Sequence, residues 1–376
     1  MVEQFEDSLW ESGQKYADKS KKSVDQEGGK MLRVGISGYQ IWYHSIVFAE
    51  ELQKSSTMET VSVFDENAVF AKRLGEAAGG VKVFTDIDEF IDSGIDIVIM
   101  AGLPSTKLSE IRKYAAAKIH ILNDKPVATT SADALEMANI CKQENVKAMV
   151  GYNLHSAQTL KQAHDILREG KLGKPLYAFF AYDGPMLQET EWSTKPGWLM
   201  DPKENMSYWF IHVDHGIDAL MWLLDAKFTD VFAQLENLNH PDIQDNTDWG
   251  VGLFTMDNGV KAILQCDGIA PAPFEILNIR IVCEDGSLVF DYFPTPKLQV
   301  TGNNLTYGKI WEYDFQDDLR NGMARMAEEF VSYIIEDKPI PKYQSLEIAG
   351  YRLLKTAEAA HKSNDEKKLV NISYEV

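Results

Sequence analysis

The sequence predicts an α/β domain built on a doubly wound parallel sheet, followed by an α+β domain with a large, mostly antiparallel open sheet. Between residues 31 and 150, β-branched runs alternate with amphipathic helical segments, which is typical of parallel βαβ units. After residue 150 this alternation stops, and long strand candidates are joined by turn signals at Asp257-Asn258-Gly259 and Asp285-Gly286. We therefore divide the chain into an N-terminal extension (1–30), a first domain (31–150) and a second domain (151–376).

In the first domain, strand and helix candidates follow one another in turn. The strand candidates are LRVGIS, TVSVFD, KVFTD, IDIVIMAG, IHILND and KAMVGYN. The helix candidates between them begin at Ser45, Glu66, Ile87, Ser105 and Ser131. The run IDIVIMAG is apolar almost throughout and predicts a strand buried on both faces. Because ligands of such sheets bind at the carboxyl ends of the strands, residues that directly follow a strand are candidate site residues.

The second domain shows a different pattern. A helix candidate from Ser156 leads into the strand PLYAFFAYDG, and another helix is predicted near 208–223. Several long strands with hairpin turns follow, which predict an antiparallel sheet. Two amphipathic helices, from Asp317 and from Ser345, and a short final strand close the chain.

Composition limits the function classes. The 376 residues are 45% hydrophobic, enough for a sizeable core, and carry a formal net charge of -20. This acidity disfavours binding to nucleic acid or to an anionic membrane surface, so small molecules are the expected partners. The three cysteines, Cys141, Cys266 and Cys283, are odd in number and far apart, which favours a reducing compartment such as the cytoplasm.

The N-terminal extension (1–30) is polar and charged throughout, and it has no apolar run of the kind found in a signal peptide. Its composition predicts a disordered tail. Phe5, Leu9 and Trp10 leave open a short helical arm that packs on a neighbour.

The first βα turn, VGISGYQIWYHS, resembles a glycine-rich dinucleotide loop only in part. Gly35 and Gly38 are present at the strand end, whereas Gln40 and Tyr43 stand where the second and third glycines are expected. The second glycine normally lets the backbone approach a pyrophosphate, and the third lets the helix pack closely on its strand. A helix N-terminus still favours an anion, and the Gln40 amide can donate to it. We therefore expect cofactor binding to persist at this loop, with reduced affinity.

Asp65 ends the second strand candidate, about 27 residues after Gly38 and near the expected spacing of about 20. A carboxylate there would accept hydrogen bonds from ribose hydroxyls and repel a 2′-phosphate, which favours NAD over NADP. The alternative is that Asp65 only caps the following helix, a task that Asn67 could equally perform.

Further candidates follow later strands and lie on one helix. Lys125 follows an apolar strand in NDKPVATT, Asn153 follows the next strand in VGYN, and His212 and His215 lie on the helix WFIHVDHGIDALMWLL. With VGISG, VFTDIDEFI, IVIMAGLPSTK, GWLMDP and AEAAHKS, these segments resemble the Gfo/Idh/MocA family of NAD(P)-dependent oxidoreductases over nearly all of residues 31–376.

The resemblance implies roles for two residues. The lysine of the family's EKP-type motif falls on Lys125, near the nicotinamide and the reacting hydroxyl, and the family's histidine falls on His215, three residues before Asp218. Oxidation of a secondary alcohol needs a base for the hydroxyl proton, and histidine titrates near the working pH. A nearby ammonium stabilises the developing alkoxide.

The sequence also departs from the family. The family's aspartate one turn before the histidine is Ile211 here, and His212 or Asp214 is a candidate to take over part of its duty. Asp214 adjoins His215, however, and is therefore expected to point elsewhere on the helix. His212, His215 and His155 also resemble part of a zinc site, but no fixed spacing supplies a complete ligand set, so we expect no metal. The aromatic segment around Trp198 could line a sugar pocket, although such residues more often belong to the core.

These observations predict an NAD-dependent dehydrogenase acting on a secondary alcohol of a sugar, inositol or related polyol, with Asn153, His212 and Trp198 as substrate-binding candidates. The alternative is a non-catalytic protein of the same fold that senses a sugar or dinucleotide, which the missing glycines and Ile211 would favour. The resemblance and the apolar strands of the second domain further imply a homodimer or homotetramer.

Overall fold

The computed structural model describes residues 31–184, 198, 201, 203–204, 206–239, 247–270, 276–292, 295–302, 309–314, 318 and 321–374. The prediction made for the N-terminal extension lies outside these residues. The predicted fold class is confirmed: a parallel six-stranded sheet with helices is joined to a nine-stranded, mostly antiparallel sheet.

The first sheet has the order β3-β2-β1-β4-β5-β6 with parallel pairing throughout. Its strands are β1 (Leu32–Ser37), β2 (Met58–Phe64), β3 (Lys82–Phe84), β4 (Ile97–Met100), β5 (His120–Asp124) and β6 (Ala148–Gly151). Its helices are α1 (Trp42–Glu51), α2 (Ala68–Ala77), α3 (Ile87–Asp92), α4 (Pro104–Ala116) and α5 (Ser131–Gln143). All of β4 is buried, as its apolar run predicts, because core clusters lie on both faces of the sheet. The order reverses between β1 and β4, so the crevice for a ligand opens beyond their carboxyl ends.

The second sheet has the order β14-β13-β12-β11-β7-β10-β9-β8-β15, and only the pair of β7 and β10 is parallel among its described pairings. Its strands are β7 (Pro175–Asp183), β8 (Phe228–Glu236), β9 (Trp249–Met256), β10 (Lys261–Asp267), β11 (Ile276–Cys283), β12 (Gly286–Asp291), β13 (Lys297–Gly302), β14 (Lys309–Glu312) and β15 (Val370–Asn371). The turn predicted at Asp257-Asn258-Gly259 joins β9 to β10, and Gly259 adopts the left-handed conformation there (φ +88°).

Helix α6 (Gln158–Arg168) precedes this sheet, and helix α7 (Tyr208–Leu224) lies against it. Ser207 caps α7 by accepting a hydrogen bond from the Phe210 backbone N–H. All but two residues of α7 are buried, so the helix belongs to the core rather than to the surface. At Gly216 a Cβ would lie 2.5 Å from the ring of Phe180 on β7, so only glycine permits this close approach.

The first C-terminal helix returns to the first sheet, and the last one packs against β8 of the second sheet. Helix α8 (Asn321–Ile335) places Met326 and Phe330 in the same core cluster as Ile36 of β1. The helix predicted from Ser345 begins as a π-helix (Leu346–Arg352) and continues as α9 (Leu353–Glu366). Within the described residues, no helix combines the length and the apolar composition that a membrane span requires.

Candidate functional site

The first part of the site is the turn after β1. Gly38 has φ +89°, and a Cβ at this position would lie 2.2 Å from the Cα of Gly102, which follows β4. The two glycine backbones therefore touch at the ends of neighbouring strands, and Gly38 is required for both its conformation and its lack of a side chain. Gly35 lies within β1, where a Cβ would collide with the ring of Phe90 at 2.4 Å, so this glycine makes room for packing.

Around this contact lies a small cavity, which we call the glycine pocket. It is lined by Ser37, Gly38, Gln40, Phe64, Asp65, Glu66, Gly102, Leu103, Thr106 and Glu110. Three of these residues are carboxylates, and none is a lysine or an arginine. On its far side, the Ser37 hydroxyl donates to Glu110 at 2.8 Å and the Thr106 hydroxyl donates to it at 2.7 Å.

Asp65 holds the loop beside this pocket. Its carboxylate accepts hydrogen bonds from the backbone N–H groups of Tyr39 at 2.9 Å and Asn67 at 2.8 Å. Asn67, in turn, is the residue that caps α2, since its side chain accepts from Val69 and Phe70. Of the two candidates for the helix cap, Asn67 is therefore the one that caps α2. The buried Asp65 carboxylate faces the glycine pocket. Burial raises the pKa of Asp65 against the lowering effect of these hydrogen bonds.

The glycine pocket fits an NAD molecule chemically. The touching backbones of Gly38 and Gly102 leave the floor of the crevice free of side chains, and α1 begins directly behind it. Gln40 lies in the lining, and its backbone carbonyl accepts a hydrogen bond from the Trp198 indole at 3.0 Å. The described part of the lining is acidic and contains no lysine or arginine, so it offers no partner for a 2′-phosphate.

The second part of the site is the turn after β5, which carries Lys125. Three contacts hold this turn. The Lys107 ammonium donates to the backbone carbonyls of Asp124 and Pro126, and His44 Nδ1 lies 2.6 Å from Asp124 Oδ2. Lys125 itself is buried, and its Nζ donates to the backbone carbonyl of Ile211 on α7 at 3.3 Å. The first domain and α7 therefore meet at Lys125.

On the α7 side, Asp214 and His215 complete the cluster. The Tyr152 hydroxyl donates to Asp214 Oδ2 at 3.3 Å, and the His215 backbone N–H donates to Asp214 Oδ1 at 2.7 Å. The sequence placed Asp214 away from the site because it adjoins His215, but its carboxylate lies in the same buried cluster, within electrostatic range of Lys125. The His215 ring contacts Tyr152 edge-on, with ring centroids 5.8 Å apart. Its Nδ1 is buried and has no hydrogen-bond partner among the described residues.

Burial sets the protonation states in this cluster. It raises the pKa of Asp214 to about 7, although the nearby Lys125 ammonium opposes the shift. Burial and the Lys125 charge hold the pKa of His215 well below its usual value, so its imidazole is neutral at neutral pH. A neutral imidazole, an ammonium and a carboxyl that titrates near 7 thus lie together at the junction of the two domains.

The remaining sequence candidates lie nearby in different roles. His212 is flanked by the rings of Tyr182 and Tyr208, with centroids 4.5 and 4.6 Å away, and its Nδ1 lies 3.3 Å from the Tyr208 carbonyl. Burial lowers its pKa to about 3. Trp198 lies against the cofactor loop at Gln40. Asn153 opens the 3₁₀ helix (Asn153–Ser156) directly after Tyr152, at the carboxyl end of β6.

His155, the third histidine of the zinc alternative, lies elsewhere. Its Nε2 pairs with Asp218 at 2.7 Å, and its ring stacks on Trp222. The described residues contain no group of three or more metal-ligating side chains. Asp218, three residues after His215, is therefore engaged with His155.

Sequence reasoning missed Lys107, His44 and Tyr152. Lys107 lies in the first turn of α4, and His44 follows the degenerate loop. Their partners are 17 and 80 residues away in the chain, so no local pattern could have paired them.

Two family models match the chain. The model described as "Oxidoreductase family, NAD-binding Rossmann fold" matches residues 32–152, and the "GFO/IDH/MocA C-terminal domain" model matches residues 160–289. An uncharacterized oxidoreductase of Streptococcus pneumoniae is 25% identical over 52% of this chain and 50% of its own length. The chain thus spans about half the length of that relative.

Two further proteins align over most of their lengths. A D-xylose dehydrogenase of Paenarthrobacter nicotinovorans is 23% identical over 81% of this chain and 85% of its own. The solved structure of a levoglucosan dehydrogenase in complex with NADH and levoglucosan superposes with a TM-score of 0.80 at 20% identity, covering 92% of this chain and 100% of that one. At this identity the superposition shows a shared fold.

Proposed function

We propose that this chain, which belongs to the GFO/IDH/MocA family of oxidoreductases and has an NAD-binding Rossmann domain, is an NAD-linked dehydrogenase that oxidises a secondary alcohol of a sugar, inositol or related polyol. One observation carries the proposal: Lys125, which follows β5, bonds to the Ile211 carbonyl of α7 and lies within electrostatic range of Asp214 and the neutral His215, at the same sheet edge as the glycine pocket.

In this proposal His215 is the general base. The neutral imidazole of His215 is half-buried, and its Nδ1 has no hydrogen-bond partner among the described residues, so the ring can accept the hydroxyl proton of a substrate. Lys125 stabilises the developing alkoxide, because its ammonium lies in a site from which water is largely excluded. Bound NAD would accept the hydride from the substrate carbon.

Gly38, Gln40, Asp65 and Lys125 are the proposed cofactor contacts, and Gly35 shapes the strand behind them. The three carboxylates in the lining of the glycine pocket support NAD over NADP, since each would repel a 2′-phosphate. Asn153, His212 and Trp198 are retained as the proposed substrate-side residues.

The sugar or polyol class of substrate rests on the D-xylose and levoglucosan dehydrogenases to which this chain is similar. A purely regulatory role has no comparable support, because these proteins are named for dehydrogenase activity. The three cysteines are free and buried, which is compatible with the cytoplasm as the proposed compartment.

Two measurements test the proposal. Titration of the purified protein with NADH, followed by fluorescence, should show binding, and a sugar and polyol panel with NAD should show growth of the NADH absorbance band. Folded protein that gives neither signal at millimolar cofactor would contradict the proposal.

For assembly, a homodimer or homotetramer through the open face of the second sheet is proposed. Phe232, Leu253, Ile263 and Phe179 stand in register on four neighbouring strands and form one apolar row. Phe232 is 44% exposed and Leu253 is 53% exposed. Such a row favours association with a second copy.

Light scattering should give at least a dimer for the wild type, and Leu253→Lys should shift the protein toward the monomer. A monomeric wild type at micromolar concentration would refute this proposal.

A further inference from the structure

Lys107 is a fully buried lysine that the proposed chemistry does not use. Its side chain is 0% exposed, within the first turn of α4. A buried ammonium is costly unless its donors are satisfied. Here they donate to two backbone carbonyls, those of Asp124 and Pro126, the latter at 2.7 Å. Among the described residues, no carboxylate is hydrogen-bonded to this ammonium, so the two carbonyls are the partners that offset its burial.

The two accepting carbonyls stand on either side of Lys125. An ammonium that binds both of them bridges the Lys125-Pro126 segment and restrains the direction in which the Lys125 side chain leaves the turn. Lys107 thereby closes the turn from the α4 side, while His44 holds the Asp124 carboxylate from the α1 side. The Lys125 Nζ then reaches across to the Ile211 carbonyl at 3.3 Å.

We propose that Lys107 is a positioning residue for Lys125: it holds the turn at residues 124–126 so that the Lys125 ammonium lies beside Asp214 and His215. The inference rests on the proposed dehydrogenase function for its kinetic consequence. Its structural consequence, the place of Lys125, stands independently of that function. Burial lowers the pKa of Lys107 to about 8, as expected for an amine in a dry site.

The kinetic test is a double-mutant cycle with Lys107→Met and Lys125→Ala. Methionine keeps the apolar stem and removes the donors. A misplacement of a catalytic group by about 1 Å costs on the order of 100-fold in rate. We therefore expect Lys107→Met to lower kcat by about 10- to 100-fold and also to weaken NADH binding, because Lys125 is a proposed cofactor contact. In the Lys125→Ala background the same change should alter kcat by less than about 3-fold, since no lysine remains to be placed.

Lys113→Met is the matched control. Lys113 lies on the same helix, is exposed, and pairs with Asp88 at 2.9 Å. It should leave kcat unchanged. Equal losses from Lys107→Met in both backgrounds would overturn the proposal, because they would show a general structural role. If Lys107→Met does not fold, Lys107→Leu, which also keeps an apolar stem without donors, takes its place in the cycle with the same criterion.

Crystal structures of the wild type and of the Lys107 variant separate this inference from the proposed function. We expect the 3.3 Å contact between Lys125 Nζ and the Ile211 carbonyl to be lost in the variant. An unmoved Lys125 would overturn the inference whatever the activity. A wild type that turns over no substrate would overturn the proposed function, and the structures would still decide the position of Lys125.

Discussion

The two halves of the site are held in different ways. At the glycine pocket, backbone atoms make the decisive contacts: Gly38 touches Gly102, and the N–H groups of Tyr39 and Asn67 are held by Asp65. At the Lys125 turn, buried side chains make them, through Lys107 and the pair of His44 and Asp124. A loop that is fixed by its backbone keeps its conformation when side chains such as Gln40 are substituted. The conformation of the Lys125 turn, in contrast, depends on the identity of several buried residues.

The largest loss of activity should come from His215→Ala, in the half of the site that buried side chains hold around Lys125. General base catalysis contributes about 10²- to 10⁴-fold, so kcat should fall by that factor while NADH affinity stays nearly unchanged. His164→Ala is the control, because His164 stacks on Trp222 away from the Lys125 turn. Steady-state kinetics and fluorescence titration measure both quantities. An unchanged kcat would remove His215 from the chemistry.

A substitution at the glycine pocket, the half of the site that backbone contacts hold, should weaken cofactor binding instead. Gly38→Ala adds a methyl group 2.2 Å from the Gly102 Cα and forces a left-handed conformation, which alone costs about 1–2 kcal/mol for a residue with a Cβ. We expect NADH affinity to fall by about 10- to 100-fold, since 1.4 kcal/mol corresponds to a factor of ten.

Gly80→Ala is the control that separates the effect of steric overlap with Gly102 from the effect of the left-handed backbone conformation. Gly80 has a similar φ of +82°, and no atom would lie within 4 Å of its Cβ. This variant should lose some stability and retain NADH affinity. If Gly38→Ala bound NADH as tightly as the wild type, the cofactor would not lie over this turn.

The same contrast explains how far the sequence could predict the molecule. The alternating apolar runs gave both sheets, because periodicity reports local burial directly, and the positive φ of Gly259 follows from its turn signal. Asp65 and Lys125 were identified because residues after strands converge at one sheet edge. Asp214 was misplaced, since helical geometry alone does not reveal that Tyr152 and Lys125, both distant from it in the chain, are its neighbours in the fold. Contacts between distant segments, such as that of Lys107 with the Pro126 carbonyl, leave no local signal.

The smallest expected effect is the contribution of Asp214 to the pH dependence of the free energy of unfolding. Its folded-state pKa, raised to about 7 by burial, lies above the usual value of 3.8. Between those values the folded protein binds more protons than the unfolded chain, so the contribution of Asp214 to stability is full below pH 3.8 and is lost as pH rises through 7. Asparagine mimics the protonated carboxyl, with one acceptor for Tyr152 or the His215 N–H, and cannot ionise.

Asp214→Asn should therefore gain stability relative to the wild type as pH rises. One pKa unit corresponds to about 1.4 kcal/mol. The change in the free energy of unfolding that Asp214→Asn causes should therefore be more favourable at pH 8 than at pH 5, by on the order of 2 kcal/mol. Urea unfolding at the two pH values measures this difference. Asp92→Asn, at an exposed position on α3, should show the same small effect at both. If Asp214→Asn also behaves alike at both pH values, Asp214 is not buried as an ionisable group, and the side-chain half of the site is more open to water than its contacts indicate.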